Sequence, residues 1–164
     1  MHTATRRTLC RSGLVAAAAA LVARVLPHTP RAATPAFALT LSDAEWHRRL
    51  TPRQYAVLRD AATEAPFSSP LLDEHRSGRF TCAGCTQALF DSHAKYDSGT
   101  GWPSFFEALP QAVQQADDPT FGMQRTEIHC AHCGGHLGHL FDDGPRPTGL
   151  RYCMNGAALG FTPA

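Results

Sequence analysis

A mainly β domain, led in by two short helices, is the fold class this sequence predicts. Three observations carry the prediction. Two helix-capping signatures sit close together, no long helical period appears beyond Gly78, and two Cys-x-x-Cys pairs flank the middle of the chain. Helices placed ahead of a run of short strands favour an α+β order with antiparallel pairing over alternating β-α units. A chain of 164 residues is one domain with little room for a second.

The first 38 residues read as a leader. Arg6-Arg7 is followed by an apolar run from Gly13 to Ala23, then by Arg24 and a proline-rich stretch. That run is shorter than the roughly 20 apolar residues a spanning helix needs, and it fits the h-region of a signal peptide of twin-arginine type. Ala36-Phe37-Ala38 offers a small-x-small cleavage site, with Ala32-Ala33 as a second possibility. The expectation is a signal peptide over 1–38 and a mature domain over 39–164, exported to a bacterial periplasm without stable membrane insertion. The leader holds five of the 15 basic residues and none of the 14 acidic ones, so the remainder is net acidic. With no basic stripe, nucleic acid is not an expected partner.

Ser42-Asp-Ala-Glu45 is a capping box, and Trp46 and Leu50 follow four apart on one face. Thr51-Pro52-Arg-Gln54 repeats the device with proline at the first helical position, and Tyr55 and Leu58 supply the apolar face. These aromatics read as core packing. The stretch 63–70 is turn-rich, and 71–78 has room for one helical turn. Arg79-Phe80-Thr81, Glu127-Ile128-His129 and Leu150-Arg151-Tyr152 read as strands.

Cys82-Ala-Gly-Cys85 and Cys130-Ala-His-Cys133 are knuckles whose spacing lets both sulfurs of each face one ion. Two such knuckles in one domain predict a closed, structural zinc site of four thiolates. Haem attachment would need histidine after the second cysteine, where Thr86 and Gly134 stand. Disulfides are the rival in an exported protein. Cys10 lies in the leader, so Cys153 is left alone: a small core residue, or a nucleophile with polar groups near it. Between the knuckles, Gly99 and Gly101 loosen the backbone and Pro103 stiffens it, presenting Trp102 either as the wall of a pocket or as a plug in the core.

Several longer motifs follow in order. They are Lys95-Tyr-Asp-Ser-Gly-Thr-Gly-Trp-Pro-Ser-Phe105, Gly122-Met-Gln-Arg-Thr-Glu127, His136-Leu-Gly-His139, Asp143-Gly-Pro145 and Thr148-Gly-Leu-Arg-Tyr-Cys153-Met-Asn155. With the knuckles, this set resembles the peptide-methionine sulfoxide reductase B family, over about Leu41 to Phe161. The resemblance implies two antiparallel sheets packed together, zinc away from the active site, and reduction of the R epimer of methionine sulfoxide in oxidised proteins or peptides. It makes Cys153 the nucleophile, His136 and His139 active-site histidines, Asn155 an assisting amide and Trp102 the aromatic wall for the S-methyl group.

That chemistry suits these residue types. A thiolate attacks a sulfoxide sulfur whose oxygen is protonated or hydrogen-bonded, and the cysteine is left as a sulfenic acid. His139 is the expected proton donor, with His136 and Asn155 orienting substrate or stabilising charge. Arg151, two residues before Cys153 and so on the same strand face, either favours the thiolate and contacts substrate or forms a structural ion pair. Many relatives carry a second cysteine where this chain has Thr100. A single-cysteine cycle is therefore expected, with an external, thioredoxin-like thiol as reductant and the protein acting as a monomer. Gly156 stands where relatives commonly have serine, which leaves local hydrogen bonding open. The competing reading is a non-catalytic zinc-stabilised β module that binds protein or peptide.

Overall fold

The computed structural model describes residues 37–164. The expected leader, up to Ala36, lies outside them, and among the described residues no helix is long and apolar enough to cross a membrane.

Helix α1 spans Asp43–Arg49 and α2 spans Pro52–Asp60. Both capping boxes form: the Ser42 and Thr51 side chains accept from the N–H groups of Glu45 and Gln54, whose side chains reach back to the cap N–H groups. Each cap is worth about 1 kcal/mol, which matters for helices this short. Trp46, Leu50, Val57 and Leu58 are buried, while Tyr55 is only half-buried and stacks on His47. The helical turn expected within 71–78 forms at its start, as a 3-10 turn over Pro70–Asp73. Proline at its start presets the backbone angle.

Nine strands follow: β1 Gly78–Cys82, β2 Ala88–Asp91, β3 Lys95–Tyr96, β4 Ser104–Phe105, β5 Val113–Asp118, β6 Arg125–Cys130, β7 His136–Phe141, β8 Arg151–Met154 and β9 Leu159–Pro163. They make two antiparallel sheets, one ordered β2-β1-β9 and the other β3-β4-β8-β7-β6-β5. Phe80 and Phe90 of the small sheet meet Phe105 of the large one, with ring centroids 4.9 and 4.3 Å apart, and all three are fully buried. Burying each ring contributes about 1.5–3 kcal/mol, so this trio is where the sheets adhere. Alternation along β8 sends Tyr152 and Met154 to one side and Arg151 and Cys153 to the other.

The sheets are also joined at the knuckles. Cys82 closes β1 in the small sheet and Cys130 closes β6 in the large one. In both knuckles the residue after the second cysteine, Thr86 or Gly134, takes a left-handed φ of 60° or 68°. Its N–H donates to the first cysteine's carbonyl, at 2.8 and 2.9 Å. The helices pack here too. A Cβ on Gly135 would lie 2.9 Å from the Leu58 side chain, and Arg59 donates to the Cys133 carbonyl at 3.2 Å.

Candidate active site

Cys153 sits at the centre of the large sheet, with Ser104 of β4 opposite it on one side and His139 of β7 on the other. Glu127 of β6 pairs with His139, so Ser104, Cys153, His139 and Glu127 form one row across four strands. A row of this kind puts its side chains on one face.

His136 joins that face only because the sheet is irregular. It lies three positions before His139, a spacing that in a regular strand would send the two to opposite sides. The β6–β7 register shifts between Ile128 and His129, so that His129 faces His136 rather than Leu137. This bulge turns His136 back beside His139, with ring centroids 5.5 Å apart. Gly138 completes the arrangement. A Cβ there would stand 2.1 Å from the Cys153 carbonyl oxygen, so the strand bearing the cysteine can approach this closely only over glycine.

A cavity of about 150 Å³ opens over the row, lined by Thr63, Trp102, Arg125, Gly138, His139, Phe141, Cys153 and Asn155. Cys153, His139, Trp102 and Asn155 thus share one cavity. His136 and Arg151 stand outside its walls. Arg151 makes a two-point ion pair with Asp143, at 2.7 and 2.8 Å, and its guanidinium covers the Phe141 ring at 4.3 Å. It acts on the cavity from behind, through that ring and through its influence on the Cys153 thiol.

Burial raises the Cys153 thiol above its ordinary value, against the lowering effect of the Thr100 hydroxyl and of Arg151. Thr100 Oγ1 lies 3.9 Å from the sulfur and 2.8 Å from Ser98 Oγ, which lies 2.7 Å from Ser104 Oγ. A chain of three hydroxyls therefore ends on the thiol. Among the described residues no second sulfur shares this site.

Three carboxylates hold the site, and none was singled out for a role from the sequence. Asp118, at the end of β5, lies 2.8 Å from His139 Nε2 and 2.6 Å from Arg125. The Thr120 hydroxyl and N–H, then His139 and Arg125, hold its carboxyl well below the usual carboxylate range. Glu127 touches His136 Nδ1 and lies 3.1 Å from His129 Nε2. Burial lowers the His136 pKa against the pull of that carboxylate, which favours a neutral ring near neutrality.

Glu64 is the third. Its side chain is 1 % exposed and accepts from the N–H groups of Gly156 at 2.6 Å and Ala157 at 2.9 Å and from Arg53 at 3.1 Å. Its own N–H donates to Asn155 Oδ1 at 2.9 Å, and its carbonyl accepts the Trp102 indole N–H at 3.1 Å. Asn155 also donates to the Leu137 carbonyl at 3.2 Å. One buried residue thus holds the tryptophan, the amide and the turn behind the cysteine. Gly156 is open to no side chain: a Cβ there would lie 1.9 Å from Ser69 Oγ, so Ser69 fills the space.

The four knuckle sulfurs all lie within 4.8 Å of one another, with closest approaches of 3.5 and 3.7 Å. Zinc bound by four thiolates at about 2.3 Å puts the sulfurs about 3.8 Å apart, so the residues fit such an ion. All four thiols are free, so they form no disulfide. None of them lines the cavity. His47, His75 and His93 are exposed.

A family model described as the SelR domain matches residues 50–163. A peptide methionine sulfoxide reductase MsrB of Agrobacterium fabrum is 54% identical over 123 residues, covering 74% of this chain and 91% of the relative. The protein of that name from Bradyrhizobium diazoefficiens is 56% identical over 123 residues, covering 74% and 88%. The one from Methanosarcina mazei is 50% identical over 122 residues, covering 74% and 87%.

Proposed function

Because this chain belongs to the MsrB family, carrying its SelR domain, we propose that it reduces methionine sulfoxide in oxidised peptides and proteins, acting on the R epimer. The observation that carries this reading is Cys153 standing in one cavity with Trp102, His139 and Asn155. A thiol needs a polarised sulfoxide to attack, and these are groups able to hold and polarise one.

The substrate's S-methyl end rests against Trp102 and Phe141, with its oxygen toward His139. Cys153 ionises and its sulfur attacks the substrate sulfur. The S–O bond breaks as a proton reaches the oxygen from His139, whose ring is oriented by the Asp118 carboxylate. The oxygen leaves as water, taking the proton from His139 and the one Cys153 gave up. Water then attacks the Cys153 sulfur and breaks the sulfur–sulfur bond, leaving a sulfenic acid on Cys153 and releasing the substrate as the thioether with a proton. Two electrons have moved from cysteine to methionine. An external thiol then attacks the sulfenic acid, releasing water and leaving a mixed disulfide, and a second thiol frees Cys153. Thr100 beside the sulfur supports a cycle without a second catalytic cysteine. Asn155 is held by Glu64 and Leu137, so it acts as a fixed wall rather than a mobile donor.

Cys82, Cys85, Cys130 and Cys133 would hold a structural zinc ion, which would neutralise the thiolates and lock β1 to β6. The twin-arginine leader directs the chain to the periplasm, where the reductant is a thioredoxin-like thiol.

The deciding experiment is reduction of separate R and S sulfoxide epimers of a peptide by residues 39–164, driven by dithiothreitol, beside Cys153→Ser. Consumption of the R epimer alone, abolished by the substitution, is the expected result. No turnover by a folded, metal-loaded protein would favour a peptide-binding module instead.

A further inference from the structure

On the other side of Trp102 lies a second cleft, of about 320 Å³, lined among others by Phe67, Ser69, Leu72, Tyr96 and Asp97. Trp102 is common to its walls and to those of the reactive cavity. Two features of this cleft are unexplained by packing within the domain.

The first is Phe67. Only Phe67 and Met123 are large, apolar and exposed among the described residues, and Phe67 is 71 % exposed. Its φ is +61°, a conformation bulky residues avoid. Its N–H donates to the Gly101 carbonyl at 2.7 Å, and its ring would lie 2.9 Å from a Cβ on Gly101. The ring is thus pinned to the residue next to Trp102 while facing water. Backbone held in a disfavoured region is a common mark of a binding surface. The second feature is the Tyr96 hydroxyl, which is buried and has no hydrogen-bond partner, although Tyr96 lines the cleft. Buried polar groups are nearly always satisfied, so this one asks for an outside partner.

We infer that this cleft is a subsite for the polypeptide segment flanking the oxidised methionine, with Phe67 as its apolar platform and the Tyr96 hydroxyl, closed to solvent in the unliganded cleft, bonding its backbone once the peptide displaces what covers it. The inference rests on the reductase reading above. A capped single residue fills the reactive cavity and gains nothing from the cleft. A peptide running past Trp102 gains both contacts, so the site favours sulfoxide within a chain.

The test compares N-acetyl methionine sulfoxide amide with a peptide carrying a central methionine sulfoxide, under excess dithiothreitol so that no protein reductant takes part. Phe67→Asn removes the ring while keeping a residue that tolerates positive φ, and Tyr96→Phe removes only the hydroxyl. Phe67→Asn is expected to raise the peptide KM about five- to twentyfold, and Tyr96→Phe about three- to tenfold. The kcat for the peptide and both constants for the capped residue should stay within about twofold. Equal losses on both substrates, or an unchanged peptide KM, would overturn the subsite. Wild-type protein that reduces neither substrate would sink the reductase reading instead. Calorimetric titration of the same peptide then decides the cleft: weaker binding by Phe67→Asn than by wild type supports it, and equal binding by the two, or none by wild type, overturns it.

Discussion

Two regions of this molecule are organised around cysteine, and they differ in what surrounds the sulfur. At the knuckles four thiols converge within 4.8 Å from the ends of strands in separate sheets, with the helices packed behind them. At the cavity a single thiol projects from mid-sheet among hydroxyls, imidazole and indole. Burial alone does not separate them, since Cys85 of the knuckles and Cys153 are both half-buried. The number of sulfurs within reach decides. Four invite a metal, whereas one beside a hydroxyl can be oxidised and has no neighbouring sulfur to close upon.

The largest effect is expected at the knuckles. Cys82→Ser, or removal of the metal by a strong chelator, should lower Tm by at least about 15 °C, because a structural zinc site carries folding free energy. Metal analysis and a thermal melt check it; a metal-free protein with unchanged Tm would refute the structural role. Cys153→Ser should do the opposite, abolishing sulfoxide reduction while leaving Tm within about 2 °C, since a cavity-facing oxygen replaces sulfur at little cost. Glu64→Ala lies between. It leaves the Gly156 and Ala157 N–H groups without their acceptor, and should cost about 3 kcal/mol in chemical denaturation and loosen both Trp102 and Asn155. The smallest effect sharpens the picture of the lone thiol. Its raised pKa makes alkylation of Cys153 slow at neutral pH and faster as pH rises. Thr100→Val removes a group that lowers that pKa, so the alkylation profile should move to higher pH. A shift to lower pH would mean that Thr100 does not stabilise the thiolate.

Local signals were legible in the sequence. The two capping boxes, the knuckles and strands β1 and β6 stand where short-range patterns put them, because caps and Cys-x-x-Cys turns are settled within four residues. The carboxylates were not legible. Asp118 reaches His139 across the intervening β6, and Glu64 reaches Gly156 from far along the chain. No local pattern marks an acid whose partner arrives through sheet topology. The pairing of His136 with His139 is a subtler case. Strand alternation alone puts them on opposite faces, and only the bulge opposite Ile128 and His129 brings them together. The same alternation puts Arg151 on the cysteine's face, yet its guanidinium turns to Asp143, a partner eight residues back in the preceding loop.

The indole contacts have an optical consequence. The sequence holds two tryptophans. Trp102 is tied by its N–H to the Glu64 carbonyl at the mouth of the cavity, whereas Trp46 lies buried in α1 beneath the Arg59 guanidinium, 4.9 Å from its ring centroid. The emission of the wild-type protein therefore mixes a signal from the cavity with one from helix docking near the knuckles. In Trp46→Phe the remaining light would come from the cavity wall alone.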